Sequence, residues 1–82
     1  MSGTPDLGAR LAHAIGNALR RARLERGLTL REVADALDDH GPVISRTEAG
    51  HVLPKLTTLV LHARAVGLTL SEIAAIVDAE VA

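Results

Sequence analysis

This chain predicts an all-α domain of five helices, and three observations carry the prediction. Apolar residues recur at steps of three and four, the spacing that lines one face of a helix, from Leu7 through Val81. Glycines and threonines that stop and start helices punctuate these runs, as at Gly27-Leu28-Thr29 and Gly67-Leu68-Thr69. Phe, Trp, Tyr and Cys are all absent, so the interior must be packed from Leu, Val, Ile and Ala, with no disulfide or thiolate-bound metal to hold it. The 82 residues make one domain, 1–82, which buries about 60% of its unfolded surface and so has a modest core.

The first helix is expected over 5–25, capped by Thr4, with Leu7, Leu11, Ile15, Leu19 and Ala22 on one face and Gly8 and Gly16 weakening it. Gly27 ends it. Thr29 then accepts from the amide three residues on while Glu32 reaches back, a capping box that opens a helix whose apolar face is Leu30, Val33, Ala34 and Leu37. Residues 38–41 make a turn. Pro42 has no amide to leave unpaired and suits the first position of a short helix over 42–49, which Gly50 stops, so 29–50 reads as a helix-turn-helix. His51-Val52-Leu53-Pro54 is a loop. A fourth helix carries Leu56, Leu59, Val60 and Ala63 and stops at Gly67. A fifth, from Thr69, places Leu70, Ile73, Ala74, Val77 and Val81 on one face with Ile76 beside it. G-L-T-L-S-E-I-A from Gly67 repeats G-L-T-L-R-E-V-A from Gly27, but no Gly-Pro turn or Ser-Arg helix follows the second copy. The repeat is a reused capping box rather than a tandem fold.

A net charge of -1 argues against binding nucleic acid by charge alone, yet the charge is unevenly spread. Arg10, Arg20, Arg21, Arg23, Arg26 and Arg31 precede the turn, whereas residues 56–82 hold only Arg64 against Glu72, Asp78 and Glu80, so the acidic end should face away from DNA. No signal peptide or membrane-length apolar run occurs, and cytoplasm is the expected location. His13, His40, His51 and His62 show no His-x-x-x-His spacing and are expected on the surface, with no metal and no cofactor. Ser45 has no visible base and there is no Gly-rich phosphate loop, so the chain reads as a non-enzyme.

The pattern I-G-x-x-L-R-R-A-R-x-x-x-G-L-T-L from Ile15, E-V-A-x-x-L from Glu32, I-S-R-x-E-x-G from Ile44 and Pro54 after it resembles the Cro/repressor-like helix-turn-helix proteins of the Xre type. The resemblance covers residues 14–72. It implies a compact domain of the lambda-repressor-like type and transcriptional regulation of the bacterial or phage kind through double-stranded DNA. It also implies that Arg23 pairs with Glu48, an inward-facing charge one turn beyond Ile44 that needs a hydrogen-bonded partner. The DNA-facing residues it implies are Gly41, Pro42, Val43 and Arg46. A guanidinium at Arg46 can bind guanine or a phosphate, and Val43 can touch a thymine methyl. Arg20, Arg21 and Arg31 are candidate phosphate contacts, with His40, His51 and Lys55 as lesser ones.

Several residues depart from the family's habit. Gly41 and Pro42 offer no side-chain donors, which thins the reading face and leaves more to backbone contacts or DNA shape. Asp38 and Asp39 add negative charge at the turn, where capping the next helix or pairing locally with Arg31 or His40 is the commoner use of aspartate. Val52 and Leu53 stand where relatives often place basic or amide residues. These departures keep a second possibility open, a protein-interaction module on the same fold, such as an antitoxin or accessory regulator with weak or no DNA binding. Ile76 widens the apolar face of the last helix, and a homodimer through Leu68, Ile73, Ile76 and Val77 would cover it and set two recognition helices on one face of DNA.

Overall fold

The computed structural model describes residues 6–38 and 41–82. Five helices follow in order: α1 (Leu7–Glu25), α2 (Leu30–Ala36), α3 (Gly41–Glu48), α4 (Leu56–Val66) and α5 (Leu70–Val81), and no strand occurs among the described residues. Asp6 caps α1, its carboxylate accepting from the Ala9 amide at 2.7 Å. A cap at Thr4 lies outside the described residues.

Two nearly identical corners set the path of the chain. After α1, Gly27 takes φ +68° and the Leu28 amide donates back to the Arg23 carbonyl; after α4, Gly67 takes φ +76° and Leu68 donates to Ala63. Only glycine adopts this left-handed turn without a Cβ penalty. Two residues on, Thr29 and Thr69 each complete a capping box, with Glu32 and Glu72 accepting from the threonine amides at 2.8 Å. The repeated G-L-T-L is therefore a stop-and-start unit, used twice. Two residues after α2, Asp38 takes φ +54°, a conformation aspartate tolerates better than most residues. Gly50, at φ +79°, ends α3, and the His51 amide donates to the Arg46 carbonyl.

The core gathers Ile15 and Leu19 from α1, Val33 and Ala34 from α2, Ile44 from α3, Leu59, Ala63 and Val66 from α4 and Ile73 from α5. α1 runs through the middle, packing against α3, α4 and α5, while α2 packs against α3 and α4. Gly16 has a packing role that its helix propensity hides. A Cβ there would run into the carbonyl oxygens of Thr47 and Glu48, so α1 and α3 cross at backbone contact.

The inward faces of the last two helices differ from expectation. α4 turns Leu59, His62, Ala63 and Val66 inward and leaves Leu56 76% exposed. His62 is fully buried, not on the surface, because it lies three residues from Leu59 and four from Val66 on the inner stripe. On α5 the inner residues are Ile73, Ile76 and Val77, whereas Leu70, Ala74 and Val81 are exposed. Ile76 thus belongs to the stripe rather than lying beside it. Among the described residues no single helix is long and apolar enough to cross a membrane; α4 and α5 pass such a test only as a pair, bent by 119°.

Candidate nucleic-acid interface

The inner side of α3 is locked. Ile44, Thr47 and Glu48 are buried, and the Thr47 hydroxyl donates to the Val43 carbonyl at 3.0 Å. Arg23 donates from Nε and Nη2 to the two Glu48 carboxylate oxygens, at 2.6 and 3.1 Å, and from Nη1 to the Leu28 carbonyl at 2.9 Å. One guanidinium thereby joins α1, the α1–α2 corner and α3. The hydrogen bond with Glu48 raises the pKa of Arg23 against the opposing effect of burial, so the guanidinium keeps its charge. Across the end of α3, a Cβ on Gly50 would meet His13, a second close approach of α1.

With that side fixed, the outer side is determined. Pro42, Val43, Ser45, Arg46 and Ala49 are exposed and Gly41 is half-buried. Helical geometry puts Pro42, Arg46 and Ala49 opposite the buried trio, with Ser45 toward one edge and Val43 toward the other. Ser45 was missed as a contact by sequence reasoning. The signal was present in Ile44-Ser45-Arg46, since the helical step after a buried Ile44 brings Ser45 to the edge of the face that carries Arg46, and it is exposed there. Its hydroxyl can donate to or accept from a base edge or a phosphate.

The flanking cations are unevenly placed. Arg31 on α2, Lys55 and His51 around the loop after α3, and Arg20 on α1 are exposed. Arg20 lies one turn beyond Gly16, on the flank of α1 nearer α3. Arg21 does not share that flank: it lines a groove of about 320 Å³ between α1 and α5, with Ala18, Ala22, Leu68 and Ile76 at its floor and Glu25 and Glu72 beside it. His40 and Asp39 lie outside the described residues. Of the residues expected at a dimer contact, Ile73 is buried within the protomer, while Leu68, Ile76 and Val77 are half-buried against its core.

A short helix held from behind, with its outer face bare and a second helix ending four residues before it, defines a helix-turn-helix domain. The chain belongs to the helix-turn-helix domain family, whose profile matches residues 14–76, in keeping with the Xre-type resemblance. No curated protein matches it. Two crystal structures of the clp gene regulator ClgR from Corynebacterium glutamicum are similar, each 29% identical with a TM-score of 0.76. One match covers 88% of this chain and 94% of that one, the other 84% and 73%.

Proposed function

We propose that this protein is a DNA-binding transcriptional regulator that lays α3 in the major groove as half of a homodimer. The observation that carries this is the two-sidedness of α3: Glu48, Thr47 and Ile44 are locked inward while Pro42, Ser45 and Arg46 stand clear. Likeness to a gene regulator supports the transcriptional part. Arg46 is the principal base or phosphate contact, Ser45 a second polar one, and Val43 a methyl contact; Arg20, Arg31, His51 and Lys55 reach phosphates. The chain acts by binding, not catalysis, and works in the cytoplasm.

The second protomer docks on the α1–α5 groove. Leu68 and Ile76 give that groove an apolar floor, and Arg21 beside Glu25 and Glu72 supplies both charge signs, which a self-complementary two-fold contact needs. The groove opens on the side of α1 away from Gly16 and α3, so docking there leaves both reading faces free, to be set about 34 Å apart on successive major grooves. The exposed Leu53 and Leu56, at 48% and 76%, favour a second reading, a module that binds a protein partner.

Recovery of genomic DNA with the protein from cells tests the main reading. Wild type should enrich discrete sites, and Arg46→Ala should lose about 1 to 3 kcal/mol on such a site and relax one base preference. Recovery of a protein partner with no DNA enrichment would favour the second reading.

A further inference from the structure

His62 is the most unusual group in the core. It is 0% exposed, and neither ring nitrogen has a hydrogen-bond partner among the described residues. A leucine would fill such a position without stranding polar atoms, so an imidazole there makes the core sensitive to its protonation. The charges that act on it come from behind the recognition helix: Glu48 on α3 favours a proton and Arg23 on α1 opposes it. No other element offers compensation among the described residues. Arg31, Glu32 and Asp35 of α2 are exposed, as are Arg64 of α4 itself and Glu72 and Asp78 of α5, while Glu80 is engaged by Arg10. Both carboxylate oxygens of Glu48 are already held by Arg23, through Nε and Nη2, which leaves it poorly placed to serve a second cation.

We propose that His62 makes the packing of α4 on α1 and α2 an acid-sensitive latch: neutral, it closes the core behind the Arg23–Glu48 pair, and protonated, it forces α4 away from the helices that hold α3 in place. Burial is the largest influence on His62 and lowers its pKa in the fold. The unfolded chain takes up the proton below the ordinary histidine value of about 6.5, whereas the fold resists it. Stability from this group is therefore complete above that value and is lost as pH falls from it toward the lowered folded value. The loss reaches about tenfold in the folding constant per pH unit within that window.

Denaturation midpoints and the histidine NMR signals of the whole chain, followed from pH about 7.5 to about 5.5, test this. The wild type should lose stability across the range, and His62→Leu should flatten the profile, whereas His13→Gln and His51→Gln, at exposed positions, should keep it. In folded wild type the His62 ring should stay neutral as the pH falls through the ordinary histidine value of about 6.5. A His62 ring that titrates normally in the folded protein, or a His62→Leu profile as steep as wild type, would overturn the proposal. Should His62→Leu fail to fold, the wild-type ring titration decides alone.

Discussion

At Gly16 the missing side chain matters more than any present one nearby. Alanine would improve the helix by about 1 kcal/mol on propensity, but its Cβ would meet two backbone carbonyls of α3, which cannot rotate aside. The contact should win. Gly16→Val is expected to destabilise by about 1 to 3 kcal/mol in urea denaturation, and a stabilised variant would mean that α1 and α3 do not cross this closely. Arg23 and Glu48 make the complementary case, of a charge that needs its partner. Their side chains are only 10% and 5% exposed, so Glu48→Ala strands a guanidinium and should cost on the order of 3 kcal/mol. Replacing both by methionine should cost less than Glu48→Ala alone. An unchanged midpoint in Glu48→Ala would remove the clamp from the description of α3.

Among the elements, the helix ends were the most readable from sequence because their causes are local. Thr29 with Glu32 and Thr69 with Glu72 announce capping boxes within four residues, and Gly27, Gly50 and Gly67 stop the helices they were expected to stop. Thr29→Ala and Thr69→Ala should each lower stability by about 1 kcal/mol in thermal or chemical melts. If Thr69→Ala costs nothing while Thr29→Ala does, the second corner is incidental. The amide and hydroxyl contacts of each threonine also hold the Glu32 and Glu72 pKa values down, so the caps contribute above the unfolded carboxylate range and fade as pH falls through the lowered values. Faces were harder to read than ends. Periodicity alone allows neighbouring stripes on α4 and α5, and only packing against α1 and α2 selects Leu59, His62 and Val66 over Leu56, and Ile76 over Leu70. His62 was not legible because imidazole polarity favours a surface and only packing buries it, and Ser45 because an edge position on α3 is settled by which side Glu48 and Ile44 bury.

For the molecule as a whole, a net charge of -1 hides a division of labour. Arg20, Arg31 and Arg46 stand exposed on α1, α2 and α3, while on α5 Glu72 lines the groove assigned to a second copy and Glu80 pairs with Arg10 of α1. Binding to DNA should therefore be real but dependent on a few cations, and its salt response should reveal them. The most direct measurement is the affinity of the intact chain for random duplex DNA between about 50 and 200 mM salt, for wild type and Arg46→Ala. The expected result is wild-type binding that weakens steeply with salt, with Arg46→Ala weaker at every salt and, if its contact is to a phosphate, a slope lower by about one unit. Absence of binding at the lowest salt, or an affinity that neither salt nor Arg46→Ala changes, would contradict a DNA-reading role for α3.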